Sequence, residues 1–365
     1  MTRCPLFVEL CAGTAALSLK LHAGQHARPP VSRMGAKTGY AHAILRVLGL
    51  RQGQGQADGT RYLWCEPDQG VRLMLHAYTD RELAQEAARI IRSWKDEEPR
   101  ALWERLRAEG PARCPDVVEA REVARLAFLW RGSFSQKGPS AGIGSPEGKA
   151  KTNTFGGFRP TLEELEEHLP ALPTLPATIT DDARKVDPRE VARCVLYGAW
   201  KGAGTGQGGN PARPIDPFFR GPESRGVTLE SVAERIVTPT LPATITDDAR
   251  NIRPHRLPAG TVAYIDPPYQ NTTQYAHLFP REQWLPIVRA WAAAGATVCV
   301  SEAEPIPDLV AEGWHAVEIT GTRRGQKRTF GGTREWLTMN TEPAWRPAVQ
   351  RDLFSGVAPT STGRP

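Results

Sequence analysis

Leu6-Phe7-Val8-Glu9-Leu10 is a strand-like run that meets a turn of small residues, Cys11-Ala12-Gly13-Thr14. It then passes into a helical pattern through Leu17, Leu19 and Leu21. A strand, a small-residue turn and a helix in that order form the opening of a doubly wound α/β fold. The theme returns downstream. Tyr62-Leu63-Trp64-Cys65 is a second strand ending in Glu66, and Thr261-Val262-Ala263-Tyr264-Ile265 is a third that runs into Asp266-Pro267-Pro268-Tyr269. A helix follows over Pro280 to Ala294, then a strand over Ala296 to Val300. His315 to Ile319 and Glu335 to Met339 read as a closing antiparallel pair joined by a basic loop. Arg33-Met34-Gly35-Ala36-Lys37 lies between the first two strands and leads into an apolar helix from Ala43 to Leu50.

The middle of the chain is different. From about 80 to 131 the pattern is helical, with Leu83, Ala87, Ile90, Ile91 and Trp94 on one face. Residues 132–160 are rich in Gly, Ser, Lys and Pro, and end in Thr154-Phe155-Gly156-Gly157-Phe158, a composition suited either to polyanion contact or to a plain surface loop. Pro173-Thr174-Leu175-Pro176-Ala177-Thr178-Ile179-Thr180-Asp181-Asp182-Ala183-Arg184 recurs, identical, at Pro239 to Arg250. The material between the copies reads as carrying no matching repeat, so a local duplication is expected and not a solenoid. The expected organisation is a cofactor-binding half over 1–80, an inserted helical and loop-rich lobe over 81–255, a catalytic half over 256–340 and a flexible tail over 341–365.

Composition narrows the class without naming it. No stretch approaches 18 consecutive apolar residues, so no membrane-spanning helix is expected. The N-terminus lacks the long apolar region of a signal peptide, which predicts residence in the cytoplasm. Six scattered cysteines, with no C-x-x-C pair, read as reduced thiols, and the eight histidines show no metal-binding spacing. A net charge of +6 is compatible with a polyanionic partner.

Asp266-Pro267-Pro268-Tyr269 carries the strongest chemical signal, because it stands at a strand's carboxyl end, where α/β folds bind ligands. An exocyclic amino nitrogen is a poor nucleophile while its lone pair is delocalised into the ring. A carboxylate and a backbone carbonyl accepting its two hydrogens pull it toward sp³ and free that pair. The prolines stiffen the loop and remove competing donors, and the tyrosine offers a face for an extruded base.

This motif resembles the catalytic motif of the DNA amino-methyltransferases, the Dam-type adenine-specific group in particular. The resemblance covers about the first 80 residues and 260–340. It implies a Rossmann-like S-adenosylmethionine-dependent fold, with Asp266 and the Pro267 carbonyl engaging the amino group and Tyr269 stacking on a flipped adenine. It also implies that Phe7, Glu9, Cys11, Ala12, Gly13 and Thr14 line the S-adenosylmethionine loop and that Glu66 binds the ribose hydroxyls. In this loop Cys11 stands where the family has an aromatic and Ala15 where it has a second glycine. Gly35-Ala36-Lys37 resembles the family's glycine–lysine motif, which makes Lys37 a cofactor-site candidate, although here it follows the glycine loop.

Arg323, Arg324, Lys327, Arg328 and Arg334 lie in an acid-free stretch and are candidates for phosphate contact with double-stranded DNA. Gln350-Arg351-Asp352-Leu353-Phe354 resembles the peptide by which bacterial proteins dock on the sliding clamp, with Gln350, Leu353 and Phe354 as anchors; a fold-back of Leu353 and Phe354 on the core is the alternative. The expected protein is a monomeric, metal-free, site-specific DNA adenine-N6 methyltransferase. An RNA-directed or cytosine-N4 enzyme of the same fold, and a catalytically inactive DNA-binding module, stand as rivals.

Overall fold

A computed structural model of the chain describes residues 3–31, 37–110, 118–132, 158–180, 182–189, 191–192, 257–268, 279–320 and 334–347. Seven strands form one mixed sheet: β1 (Leu6–Glu9), β2 (Arg61–Cys65), β3 (Ala177–Thr180), β4 (Val262–Ile265), β5 (Thr297–Glu302), β6 (His315–Thr320) and β7 (Arg334–Met339). Their spatial order is β3-β2-β1-β4-β5-β7-β6. Strands β1 to β5 pair in parallel, whereas β7 runs antiparallel to both β5 and β6. The short runs that read as strands are apolar at successive positions because each buries both faces, as parallel strands under helices must. Leu6, Val8, Leu63, Cys65, Ala263, Ile265, Val298 and Val300 face one apolar layer. Phe7, Tyr62, Trp64, Val262, Tyr264 and Cys299 face the other.

The second of those layers is covered by α1 (Ala16–Ala23), α2 (Ala41–Val47), α4 (Gln69–Leu75), α5 (Arg81–Ser93), α6 (Pro99–Ala108), α7 (Ala120–Gly132) and α8 (Phe158–His168), with the one-turn α3 (Gln54–Asp58) packed on α1. The first is covered by α9 (Arg281–Ala293), α10 (Pro307–Ala311) and residues 183–192. The helical pattern expected over 80–131 divides into α5, α6 and α7. Asp80 caps α5 by accepting from the Leu83 N–H at 3.0 Å, and Ala87, Ile91 and Trp94 are buried as the periodicity requires. Pro99 opens α6 at its first position and keeps the preceding Glu98 extended, with φ −65° and ψ 125°. Glu98 then caps α6 by accepting from the N–H groups of Arg100 and Ala101. No described helix is long and apolar enough to cross a membrane.

The stretch 81–255, expected as an inserted lobe, also supplies part of the sheet. Ala177-Thr178-Ile179-Thr180 pairs in parallel with β2, from Tyr62↔Ala177 to Cys65↔Thr180. The physical reason is local: β-branched residues between Pro176 and two aspartates favour an extended edge strand. The first copy of the repeat therefore forms β3 and the one-turn helix after it, Ala183–Lys185, capped by Asp182 through the Arg184 N–H at 2.9 Å. The second copy lies outside the described residues.

From β1 the chain builds outward through β2 to β3, and then crosses to β4 and β5 on the other side of β1. The order reverses between β1 and β4, so their outgoing loops diverge and leave a crevice at the strands' carboxyl ends.

Candidate active site

The loop after β1 is tied to both neighbouring strands. The Leu10 N–H donates to the Tyr264 carbonyl on the β4 side, and the Ala12 N–H to the Cys65 carbonyl on the β2 side, both at 2.9 Å. Gly13 and Ala15 have φ of +52° and +48°, and Ala15 is the one described non-glycine residue with positive φ. That conformation is costly for a side chain with a Cβ and persists where the surroundings enforce it. The Gly13 N–H donates to Glu66 Oε2 at 2.8 Å, and the Asp68 N–H to Glu66 Oε1 at 3.0 Å. A Cβ at Gly13 would meet nothing within 4 Å, so open space adjoins the loop. Thr14 Oγ1 beside it is buried without a hydrogen-bond partner. Open space, an orphaned hydroxyl and a carboxylate at the end of β2 fit a polar ligand laid across the ends of β1 and β2.

Across the switch point, Asp266 follows β4 and is partly exposed at 19 %. Lys37, brought in on a one-turn helix (Lys37–Gly39), reaches Asp266 Oδ1 at 2.9 Å and Glu335 Oε1 at 3.1 Å. Lys37 and Glu335 are almost wholly buried, and Ser301 of β5 donates to the same Glu335 oxygen. Glu302 ends β5, is buried, and has an Oε1 without a hydrogen-bond partner. Burial pushes its carboxyl up to about 7, and the charges of Asp266 and Glu335 add to this against the Ala303 N–H and Arg281. Glu9 is buried beneath the loop, where its Oε1 accepts from the Ser18 N–H at 2.9 Å and from the Ser18 hydroxyl. Burial pushes Glu9 up to about 7 despite those two bonds, with Asp266 again raising it. Lys37 thus lies between two carboxylates, Asp266 and Glu335, and the charge of Asp266 also acts on the buried carboxyls of Glu9 and Glu302.

Of the expected site residues, the structure brings together Glu9, Cys11, Ala12, Gly13, Thr14, Glu66, Lys37, Asp266, Pro267 and Pro268 at neighbouring strand ends. Phe7 is not among them. It lies in mid-strand and not at the strand's carboxyl end, and its wholly buried side chain packs edge-to-face with Tyr62 at 6.5 Å between centroids. The Oε1 of Glu9 holds the first turn of α1 through Ser18. Tyr269, Arg323, Arg324, Lys327, Arg328, Gln350, Leu353 and Phe354 lie outside the described residues.

Two participants escaped the sequence reading. Glu302 carried a usable signal, an acid closing an apolar strand run just as Glu66 and Asp266 do. Glu335 carried none, because only the fold brings Lys37 to it. Among the described residues no three His, Cys, Asp or Glu side chains converge as metal ligands. Compared with protein-family models the chain matches none, and no curated protein matches it.

Glu302 has a measurable consequence. Its native pKa of about 7 exceeds the ordinary carboxyl value of 4.5, so the native state holds the proton more tightly than the unfolded chain does. Stability linked to this group is therefore fully present below about pH 4.5 and is lost as pH rises through 7. Glu302→Gln is expected to unfold later than wild type at pH 8, by about 1–3 kcal/mol, and to lose that advantage at pH 5. Denaturant unfolding of both proteins at the two pH values checks this, and an advantage independent of pH would show that the proton is not held there.

Proposed function

We propose that the chain transfers a methyl group from S-adenosylmethionine to the exocyclic N6 of an adenine flipped out of double-stranded DNA. The observation that carries this reading is the juxtaposition, at one switch point, of Asp266-Pro267-Pro268 after β4 with the Gly13 loop and Glu66 after β1 and β2. A mostly parallel sheet closed by an antiparallel pair is an α/β sheet compatible with the Rossmann-like fold that the resemblance implies.

Bound S-adenosylmethionine supplies an electrophilic methyl carbon on a cationic sulfonium. Gly13 leaves room for its amino-acid end to approach the backbone, Thr14 offers an unpartnered hydroxyl, and Glu66 presents a carboxylate to a diol. A crevice with more carboxyl groups than ammonium groups favours a cation. Asp266, held by Lys37, accepts one hydrogen of the target amino group, and the Pro267 carbonyl accepts the other. Pro268 keeps the turn rigid. The nitrogen becomes cationic as it forms its new bond and must shed a proton, for which this carboxyl cluster is a nearby acceptor. Tyr269 stacks on the base, Arg323, Arg324, Lys327 and Arg328 contact phosphates, and Gln350, Leu353 and Phe354 dock on a sliding clamp.

The direct test is transfer of labelled methyl from S-adenosylmethionine to duplex DNA or to RNA, followed by mass spectrometry of the nucleosides. N6-methyldeoxyadenosine in duplex DNA is expected. Labelled N4-methylcytosine, or label in RNA alone, would reassign the substrate, and absence of transfer to either would overturn the reading. For the cofactor site, Glu66→Ala removes the ribose acceptor and loosens the Gly13 N–H at once. Its S-adenosylmethionine Kd by calorimetry is expected to rise at least about tenfold, and an unchanged Kd would move the ribose site elsewhere.

A further inference from the structure

On the function proposed above, methyl transfer ends with a proton to place. The N6 lone pair attacks the methyl carbon, and the carbon–sulfur bonding pair stays on sulfur. The nitrogen is then cationic, with two hydrogens and its new methyl group. One hydrogen must leave as a proton while its bonding pair returns to nitrogen. The hydrogen facing the Pro267 carbonyl has no acceptor there that holds a proton near neutral pH. The other faces Asp266, whose Oδ1 is already paired with the Lys37 ammonium at 2.9 Å. Neighbouring carboxyls are committed as well: Glu335 Oε1 to Lys37 and Ser301, Glu66 to the N–H groups of Gly13 and Asp68, and Glu9 Oε1 to Ser18.

Glu302 differs from all of these. It is the last residue of β5. Beyond Ile265↔Val300, the last pair of β4 with β5, Pro267 and Glu302 each come two residues later, which sets Glu302 alongside the Asp266-Pro267 turn. Alternation puts it on the face of Val298 and Val300, at the carboxyl end of the layer under α9 and α10. The residue is 4 % exposed. Its Oε2 accepts from the Ala303 N–H at 3.3 Å, and its Oε1 has no hydrogen-bond partner. A buried acceptor left without a partner is costly, and a native fold keeps one where something else is to fill it. The charged groups that act on Glu302 are Asp266 from the end of β4, Glu335 from β7 and Arg281 from the first turn of α9, whose guanidinium lies 4.0 Å from Asp308.

We propose that Glu302 is the general base of this reaction: its carboxylate takes the proton shed by the methylated nitrogen and releases it to water as product leaves. The assignment rests on the methyl-transfer reading of the site. Burial brings the carboxyl up to about 7, against the Ala303 N–H and Arg281 and with Asp266 and Glu335, so near neutral pH it both takes up and gives back a proton. The sign of the pH dependence follows. Below about pH 7 Glu302 is protonated and accepts nothing, so the chemical step quickens as pH rises and levels off above 7.

Single-turnover methylation of duplex DNA by the full chain, measured from about pH 6 to 8, is the test. The wild-type rate is expected to rise by up to about tenfold per pH unit on the acid side and then to flatten. Glu302→Gln keeps the shape of the side chain and is the variant expected above to gain stability at pH 8, so a loss of rate there is not a loss of fold. Its rate at pH 8 should fall about 10²-fold, its acid limb should disappear, and its S-adenosylmethionine Kd should stay within a few-fold. Glu302→Asp, which retains a carboxylate, should recover part of the rate together with the limb. Absence of transfer by the wild type overturns the reading of the site, and this assignment with it. Transfer by the wild type with Glu302→Gln equally fast overturns the assignment alone. So does an acid limb that persists in Glu302→Gln, which would pass the role to Glu9, a carboxyl that burial also brings up to about 7. A loss of rate matched by an equal loss of cofactor affinity overturns it too, because Glu302 would then be a cofactor ligand.

Discussion

Asp266→Ala is expected to abolish methyl transfer, lowering turnover by about 10²–10⁴-fold or more, while S-adenosylmethionine binding stays within a few-fold. The asymmetry follows from where the residue stands. Asp266 follows β4, on the far side of β1 from Glu66, so removing it deprives the target amino group of its acceptor and leaves the Gly13–Glu66 contact in place. The fold should survive, because Lys37 retains its bond to Glu335 when Asp266 is gone. Single-turnover methylation assays with calorimetry of cofactor binding separate the two effects. Full activity would remove Asp266 from the chemistry, and a parallel collapse of cofactor affinity would make it a cofactor ligand.

Lys37→Met is the second large effect, and it should appear first as instability. The ammonium is 5 % exposed, and its two carboxylate partners are 19 % and 2 % exposed. Methionine matches its length but leaves Asp266 and Glu335 beside one another, with Glu9 and Glu302 nearby. Removing one partner from a buried ion pair costs about 3–5 kcal/mol, because the remaining charge is uncompensated, whereas an exposed pair would cost less than about 1 kcal/mol. Denaturant unfolding at pH 7.5 should show the larger loss. Glu335→Gln in the same background should recover part of it by removing the buried charge. A loss under about 1 kcal/mol would mean that solvent already screens the cluster.

The strand ends were legible because parallel strands covered on both faces must be apolar almost throughout, so the acids that close them stand out. Glu66 stands out this way, Asp266 stands out further as the head of Asp-Pro-Pro-Tyr, and Glu302 obeys the same rule. The small-residue turn at Gly13 was legible because few residue types tolerate positive φ. The expectation failed where local sequence competes with topology. Phe7 shares a face of β1 with Glu9 but lies in mid-strand, where the covering helices bury it away from the strand's carboxyl end. The segment Ala177–Thr180 sits in the middle of a region that reads as an insertion, yet it completes the sheet edge against β2.

The order of short apolar runs, their acidic ends and the duplicated blocks belong to the sequence alone, because each is set by local burial and backbone chemistry. The tertiary structure decided which of those ends share a crevice, since strand order, not chain order, sets β4 next to β1. It also decided that Lys37 lies between Asp266 and Glu335, residues far apart along the chain that no periodicity connects. The fold buries the ammonium and Glu335 and leaves Asp266 partly open to solvent, an arrangement that only the packing of separate elements produces.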